Sequence, residues 1–281
     1  MDKYNFVAIG GVGIENKALS GGLFEQSLGG SAWSISLTAR ALGVTPYIVS
    51  RIGIDKCGEQ LDEYMIKQNL VFEGMKYGET QIFNSVIEDG DPKRFEAVNE
   101  DLFFEQILQC MERLTVKIDA IIVGYSPYEI LPFLGGRSKE QVIVVDMSGS
   151  ILSIPSEFVF HYLRGFDSIS LNDNECSIMA SKLNIKKSKL LLMLNQFNKM
   201  VFVTSRDSIV YAYNNKINHF EFEPLQSVED ATGAGDAFAT GIAYGLCKKW
   251  EVERIVNYAL NLSHKMCMMK DKSFVDEGGW M

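Results

Sequence analysis

The 281-residue sequence is poor in the residues that hold metal ions and disulfide frameworks. It contains three histidines, His161, His219 and His264, and none of them lies in a catalytic pattern. Its five cysteines form no Cys-x-x-Cys pair and have no histidine at zinc-binding spacing. An odd, scattered set of cysteines indicates buried thiols in a reducing compartment, so we expect a cytoplasmic protein.

The sequence also lacks a long apolar segment and an excess of positive charge. No apolar run approaches the roughly 20 residues that are needed to cross a bilayer, and the N-terminus lacks the layout of a signal peptide. Lysine and arginine number 27 against 36 aspartate and glutamate residues, which gives a formal net charge of −9. This balance argues against nucleic acid or an anionic membrane surface as the main partner.

A Walker-type phosphate loop, Gly-x-x-x-x-Gly-Lys, is absent too, which excludes the P-loop class of nucleotide-binding proteins. The glycine cluster at residues 10–13 follows a short apolar run, as in a dinucleotide-binding turn. A dinucleotide fingerprint needs a further glycine and a helix opening, whereas Ile14, Glu15 and Asn16 come next. A dinucleotide-binding oxidoreductase therefore stays an alternative with little support.

The most informative segment that is present covers residues 228–241. It begins as a loop with two glycines, Gly233 and Gly235, and continues into an apolar-periodic helix. The first N–H groups of a helix have no intrahelical partner and carry partial positive charge. Glycine lets an anionic oxygen approach such groups closely. The pattern therefore predicts an anion-binding site at the start of this helix.

Asp236 is the unusual member of this segment, because a carboxylate beside an anion-binding site repels phosphate. Its presence is explained if it accepts a proton from an alcohol that attacks phosphorus. The alternative is an acidic residue in the first helical turn that complements the helix dipole, worth about 0.3–1 kcal/mol. The glycine pair and the acid alone leave both roles open.

The longer string Asp-Ala-Thr-Gly-Ala-Gly-Asp at residues 230–236 resembles the C-terminal signature of the ribokinase-like (PfkB) carbohydrate kinases. The usual form of that signature is Asp-Thr-x-Gly-Ala-Gly-Asp, and Ala231 stands here in place of the threonine. The resemblance implies an ATP-dependent kinase in which Gly233, Ala234 and Gly235 form the anion hole. It also implies that Asp236 is the catalytic base and contacts the substrate hydroxyl.

A second signature lies near the N-terminus. The pair Gly29 and Gly30 introduces a predicted helix over residues 31–42, and Gly53, Asp55 and Gly58 precede the next predicted helix. A Gly-Gly pair followed by Gly-x-Asp-x-x-Gly resembles the N-terminal signature of the same family. The resemblance implies that Gly29 and Gly30 lie at the substrate.

The substrate itself is left open by two departures from the family pattern. The places of an Asp and an Asn that bind substrate hydroxyls are taken here by Glu15 and Ser34. The resemblance therefore implies a small sugar, sugar derivative or nucleoside without deciding among them. Trp33 and Phe24 are aromatic side chains near these places, available either to stack on a nucleobase or to pack in the fold.

The nucleotide side is indicated by residues 172–175, which match the family pattern Asn-x-x-Glu. The resemblance implies that Glu175 supports Mg²⁺ through water and that Asn172, Thr204 and Arg206 lie at the nucleotide. The alternative for Asn172 and Glu175 is an ordinary helix N-cap. Arg206 and Ile209 stand where the family has glycines, so we expect Arg206 to contact phosphate, unless the donor is unusual.

Alternation of strands and helices predicts a doubly wound α/β domain with a mostly parallel sheet flanked by helices. We expect one domain over residues 1–281, and the resemblance implies a small β lid formed by about 12–26 and 72–98. The predicted strand at 82–87 is apolar on both faces, and exposed strand edges of that kind seek partners, so we expect a homodimer through the lid. The substitutions at 206 and 209 leave a further alternative, a kinase-fold protein that binds nucleotide or sugar without turnover.

Overall fold

The computed structural model of the chain describes residues 4–19, 24–88, 91–98, 104–125, 127–135, 141–147 and 153–269. Parts of the predicted lid (20–23 and 89–90) lie outside these ranges. Residues 101–103 also lie outside these ranges.

The described strands, in chain order, are β1 (Asn5–Ile9), β2 (Gly13–Leu19), β3 (Phe24–Gly29), β4 (Thr45–Val49), β5 (Arg51–Ile52), β6 (Val71–Phe72), β7 (Met75–Lys76), β8 (Gln81–Glu88), β9 (Asp91–Val98), β10 (Ala120–Val123), β11 (Val142–Asp146), β12 (Ser168–Asn172), β13 (Met200–Thr204), β14 (Ser208–Tyr213) and β15 (Lys216–Glu221). The described α-helices are α1 (Ser31–Ala41), α2 (Lys56–Lys67), α3 (Phe104–Arg113), α4 (Leu131–Gly135), α5 (Val159–Tyr162), α6 (Asp173–Lys182), α7 (Lys187–Phe197), α8 (Ala234–Cys247) and α9 (Val252–Cys267).

A nine-stranded sheet forms the centre of the fold, in the order β15-β14-β13-β12-β11-β10-β1-β4-β6. The strands from β6 to β13 along this order are parallel, and β14 and β15 form an antiparallel hairpin at one edge. Parallel strands need crossovers and are buried on both faces, which explains why β1, β10 and β11 are continuous apolar runs.

Two hydrophobic cores lie on opposite faces of this sheet, because side chains alternate along each strand. Phe6 and Ala8 of β1 join the core that is covered by α1, α2, α8 and α9. Val7 and Ile9 join the other core, which is covered by α3 to α7. This arrangement is the predicted doubly wound fold.

A second, smaller sheet of four strands has the order β3-β2-β8-β9. The β2–β8 pair is parallel, and the two outer pairs are antiparallel. Since β8 lies between β2 and β9, residues 82–87 are not an exposed edge, and that argument for a lid dimer is wrong. The edges are β3 and β9. Phe72, the first residue of the second predicted lid segment, belongs to β6 and extends the large sheet instead.

The joint between the small sheet and α2 explains the spacing of Gly53, Asp55 and Gly58. The Asp55 carboxylate caps α2 by accepting from the N–H of Gly58 at 2.8 Å, and it accepts from the N–H of Thr80 at 2.8 Å. The Thr80 hydroxyl donates to the same carboxylate. A Cβ atom on Gly58 would lie 2.0 Å from the carbonyl oxygen of Gly53, so this signature fixes the loop that leads into β8.

The chain after β1 turns directly into β2 rather than into a helix. The oxidoreductase alternative fails on this point, because a dinucleotide-binding turn places pyrophosphate at a helix N-terminus. In the ranges that the structure describes, no helix combines the length and apolar character of a membrane span.

Candidate active site

The candidate site lies at the carboxyl ends of the parallel strands, where ligands of open α/β sheets gather. The N-terminus of α8 crosses this edge. A Cβ atom placed on Gly235 would lie 3.0 Å from Oδ2 of Asp146, at the end of β11. One placed on Gly124, directly after β10, would lie 3.3 Å from Oδ1 of Asp236. The motif at 230–236 is thus brought against two strand ends.

Gly233 is the N-cap of α8 and has a left-handed backbone with φ 79°. This conformation favours glycine, and a Cβ atom there would also lie 2.8 Å from Oγ of Ser34. Gly235 follows in the first turn and is exposed. First-turn N–H groups have no intrahelical acceptor and lie at the positive end of the helix dipole. The local geometry therefore suits an anionic oxygen.

Asp236 is half-buried in the first turn of α8, close to the N-terminus of α1. The two helices meet at Gly124, where an added Cβ atom would lie 2.6 Å from Oγ of Ser31. Ser31 itself accepts a hydrogen bond from the N–H of Tyr125 at 2.9 Å. Asp236 and Ser31 therefore lie against the same residue, Gly124, whereas Ser34 lies against Gly233 one turn before Asp236.

Asp146 and Glu175 form an acidic pair at the same edge of the sheet. The Ser170 hydroxyl donates to Oδ1 of Asp146 at 2.9 Å, while burial raises the pKa of Asp146 to about 6. Burial and the charge of Asp146 raise the pKa of Glu175 to about 8. Two buried carboxyl groups with raised pKa values, one of which raises the pKa of the other, are suited to a nearby cation, which would favour their ionised forms.

Glu175 also forms the predicted helix cap. Its Oε2 accepts from the N–H of Asn172 at 2.8 Å, and Oδ1 of Asn172 accepts from the N–H of Glu175 at 2.8 Å. The capping alternative is therefore correct as a description of the contacts. It does not exclude a metal role, because the capping box fixes the Glu175 side chain beside Asp146.

The residue types at this edge fit a magnesium ion. Mg²⁺ prefers oxygen ligands, keeps several waters and is held by one or two carboxylates together with substrate phosphates. Among the described residues, no group of three or more histidine, cysteine, aspartate or glutamate side chains is placed to hold a metal by itself. Asp146 and Glu175 are the pair that meets the magnesium pattern.

Two residues predicted to lie at the nucleotide, Asn172 and Thr204, are partners on the neighbouring strands β12 and β13. The loop after Thr204 closes on itself, because the N–H of Ser205 donates to the carbonyl of Ser208 at 2.9 Å. Arg206 is exposed in this loop. Ile209 is 1% exposed and packs in the core, so of the two side chains at glycine places only Arg206 is available to a phosphate.

Four residues predicted to contact the substrate lie where the small sheet meets the start of α1, namely Glu15, Gly29, Gly30 and Ser34. A Cβ atom on Gly29 would lie 2.8 Å from Cβ of Glu15, and one on Gly30 would lie 2.3 Å from the carbonyl oxygen of Gly11. The glycine pair is therefore needed for close backbone packing of α1 against the small sheet. Glu15 is 3% exposed and lies directly against this pair.

Neither aromatic residue that was considered for stacking on a nucleobase is well placed. Trp33 is 1% exposed and belongs to the hydrophobic core, so the stacking hypothesis is wrong for this residue. Phe24 is 67% exposed at the beginning of the edge strand β3. Burial of Trp33 depends on how α1 packs on the large sheet, which its local sequence does not specify.

The inner face of the small sheet, which we define as Glu15, Lys17, Phe83 and Ser85, was recognised from the sequence only at Glu15. Strand pairing places Glu15 beside Phe83 and Lys17 beside Ser85. The Ser85 hydroxyl is buried and has no hydrogen-bond partner among the described residues. The available signal was the spacing of Glu15 and Lys17, since residues two apart on a strand share a face.

Comparison with known proteins identifies relatives of this arrangement. The model of the pfkB family of carbohydrate kinases matches residues 12–270. No curated protein sequence matches the chain significantly.

Solved structures resemble the chain over nearly its full length. Adenosine kinase from Schistosoma mansoni in complex with 2-fluoroadenosine has a TM-score of 0.83 and 13% identity, with 97% of each chain covered. Adenosine kinase from Sinorhizobium meliloti has a TM-score of 0.82 and 16% identity, with 99% of this chain and 98% of that chain covered. Fructokinase with bound ATP from Xylella fastidiosa has a TM-score of 0.78 and 17% identity, with 97% and 94% covered. These likenesses confirm the predicted fold class.

Proposed function

The chain belongs to the pfkB family of carbohydrate kinases, and on this premise we propose that it transfers the γ-phosphoryl group of ATP to a hydroxyl of a small sugar-like substrate. The observation that carries the proposal is the position of the loop at 233–236. Gly235, in the first turn of α8, lies beside Asp146 of the acidic pair, and Gly233 lies against Ser34. Asp236 follows Gly235 in the chain and lies against the strand end at Gly124. A donor phosphate and an acceptor hydroxyl can therefore meet at one helix start.

In the proposed mechanism, Asp236 accepts the proton of the substrate hydroxyl. The hydroxyl oxygen then forms a bond to the γ-phosphorus, and the bond from that phosphorus to the bridging oxygen of ADP breaks. The N–H groups of Gly233 and Gly235 hold the oxygens of the transferred phosphoryl group, whereas the N–H of Ala234, the third member of the predicted anion hole, donates to the carbonyl of Ala231 at 3.1 Å. Phosphoryl transfer depends mainly on positioning and on stabilisation of charge, so these groups supply what the reaction needs.

Asp146 and Glu175 are proposed to hold magnesium, Glu175 through a bound water. When bound, the ion supplies positive charge to the donor phosphates. Asn172, Thr204 and Arg206 are proposed to border the nucleotide. Arg206 supplies a charged side chain at a place where the family uses backbone, so it is expected to bind phosphate as a cation.

The inner face of the small sheet supports a sugar-like acceptor rather than a nucleoside. Glu15 and Ser34 offer oxygen atoms to hydroxyl groups, and the buried hydroxyl of Ser85 is placed to bond a further polar group. Trp33, by contrast, is enclosed in the core and cannot stack on a base. The small sheet is proposed to act as the lid over this substrate.

A homodimer through the small sheet is proposed as the assembly. Phe24 and Val98 are 67% and 40% exposed and lie on its two edge strands, β3 and β9. Exposed edges with apolar side chains favour pairing with a second copy. Light scattering at micromolar concentration is expected to give the dimer mass, and a monomer mass contradicts this assembly.

The experiment that tests the function is an ATP-consumption screen over pentoses, hexoses, hexose phosphates, sugar acids and nucleosides. We expect ADP production with a sugar-type acceptor and magnesium, and mass spectrometry should find one added phosphoryl group on that acceptor. Saturable ATP binding without ADP production from any acceptor would identify a binding protein without turnover. Activity confined to nucleosides would contradict the sugar-like assignment.

A further inference from the structure

A buried group of three charged side chains joins the small sheet to the loop before α8. Nζ of Lys17 lies 2.6 Å from Oδ2 of Asp230 and 3.2 Å from Oε2 of Glu15. Lys17 and Asp230 are separated by 213 positions in the sequence. We call these residues, Glu15, Lys17 and Asp230, the Lys17 triad.

Asp230 connects this triad to the backbone of the anion-binding loop. While Oδ2 contacts Lys17, Oδ1 accepts from the N–H of Thr232 at 2.8 Å. Thr232 directly precedes Gly233, whose left-handed conformation begins α8. The Asp230 carboxylate therefore holds the turn that sets the direction of the following amides.

Because the triad is buried, the positive charge of Lys17 is needed to compensate the two carboxylates. Lys17, Glu15 and Asp230 are 4%, 3% and 7% exposed. Burial alone would lower the pKa of Lys17, but the charges of Glu15 and Asp230 and its hydrogen bonds to both raise that pKa above its ordinary value. The protonated triad carries a net charge of about −1, and without Lys17 it would carry about −2 close to a site for phosphate. Removing one partner of a buried ion pair leaves an uncompensated charge.

The contact also depends on the position of the small sheet. Lys17 is part of β2, whereas Asp230 belongs to the loop between β15 and α8. A movement of the small sheet away from the large one would separate the two charges and expose both carboxylates. The contact therefore forms only when the small sheet lies against the large one, and it stabilises the turn of the loop in that position.

We propose that Lys17 is a positioning residue for phosphoryl transfer, whose ammonium group couples closure of the small sheet to the anion-binding conformation of residues 230–236. Its effect on turnover rests on the proposed kinase function, while its effect on the loop does not. Lys17 acts through Asp230 and touches neither the phosphoryl group nor the reacting hydroxyl.

The test uses the full-length protein and four variants of the triad, Lys17→Met, Lys17→Arg, Asp230→Asn and the double variant Lys17→Met/Asp230→Asn. The matched control is Lys76→Met. Nζ of Lys76 lies 2.7 Å from Oδ2 of Asp62, a distance similar to that between Lys17 and Asp230, but this ion pair is exposed. Two measurements are made on each protein. One is steady-state kinetics with the acceptor found in the screen, and the other is hydrogen exchange of the amides at 230–236.

For Lys17→Met we expect kcat to fall by about tenfold to a hundredfold, because loop amides displaced by a fraction of an ångström lose much of their effect. The KM for the acceptor should change by less than about threefold, since ground-state contacts are retained. Exchange at 230–236 should become faster. Lys17→Arg should recover most of the activity, and the double variant, with the net charge restored, should be no worse than Lys17→Met. Lys76→Met should match the parent protein.

Unchanged kcat and unchanged loop exchange in Lys17→Met would overturn the proposal. A large rise in acceptor KM with normal kcat would also overturn it, because Lys17 would then be a direct substrate contact. If Lys17→Met does not fold, two other variants decide the question. Amide exchange at 230–236 that is as slow in Asp230→Asn and in the double variant as in the parent protein would then overturn the proposal. If the parent protein phosphorylates nothing, the proposed function fails, and the exchange measurements still decide the coupling.

Discussion

The acidic pair makes a prediction about stability that needs no substrate. Glu175→Gln replaces the carboxylate by a neutral group of the same shape, and the amide oxygen can still accept from the N–H of Asn172 in the capping box. The variant therefore imitates the protonated state of Glu175 at every pH. The comparison of the two proteins isolates the titration of this one group.

The sign follows from the direction of the pKa shift. The pKa of Glu175 rises from 4.5 to about 8 on folding, so between these values the folded protein binds the proton and the unfolded chain does not. Stability is fully present below pH 4.5 and is lost as pH rises toward 8. The slope is about 1.4 kcal/mol per pH unit at most. The whole shift corresponds to about 5 kcal/mol, and because Glu175 keeps part of its surface exposed, solvent screening reduces this to ~2–4 kcal/mol.

The assay is thermal unfolding between pH 5 and 8.5, with and without magnesium, in the parent protein and in Glu175→Gln. Without magnesium, the parent should lose several degrees of Tm relative to the variant as pH rises, since about 1 kcal/mol corresponds to ~2–4 °C at this size. Magnesium should restore Tm in the parent more at pH 8 than at pH 6, and hardly at all in the variant. Glu59→Gln, an exposed first-turn acid on α2, is the matched control.

Two outcomes would refute this reasoning. Parallel pH profiles for the parent and Glu175→Gln would show that Glu175 does not titrate with a raised pKa. An equal rise in Tm on adding magnesium to both proteins would show that Glu175 only caps α6 and does not support the ion.

The remaining predictions concern one structural joint and one nucleotide contact. Asp55→Ala should destabilise the protein by about 2 kcal/mol, because it removes an N-cap and the bonds to Thr80. Asp62→Ala on the same helix should lower the stability little. Equal melting curves for the two variants would show that Asp55 does not stabilise the joint between α2 and the small sheet. Arg206→Ala should raise the KM for ATP, measured at saturating acceptor, by about tenfold with less change in kcat. An unchanged KM for ATP would show that Arg206 does not bind the nucleotide.

Much of the fold followed from local patterns. The segments of β1, β10, β11 and β13 are continuous apolar runs in the sequence, as strands buried on both faces must be. The helix predicted over 31–42 after Gly29-Gly30 is observed as Ser31–Ala41. Helix α7 was not predicted, and Phe72 was included in the lid although it extends the large sheet. Two-residue strands are defined by their partners, which a local pattern does not contain.

The site was predictable where one segment carries the chemistry. The loop at 233–236 contains both its glycines and its acid, so its geometry follows from adjacent residues. Lys17 was missed because its role depends on Asp230, which becomes its neighbour only after the chain has folded. The choice between stacking and packing for Trp33 was left open for a related reason, since its burial is set by the packing of α1.

The central claim is that Asp236 removes the proton of the acceptor hydroxyl, and kcat of Asp236→Asn tests it most directly. Asparagine keeps the shape of the side chain and removes the proton acceptor. Glu229→Gln removes a carboxylate from an exposed position in the same loop and serves as the control. We predict that Asp236→Asn loses about a hundredfold or more in kcat, with ATP affinity and Tm close to those of the parent, while Glu229→Gln keeps parental kcat. A kcat for Asp236→Asn within about tenfold of the parent, combined with a lowered Tm, would contradict the claim and leave Asp236 as a helix-dipole partner.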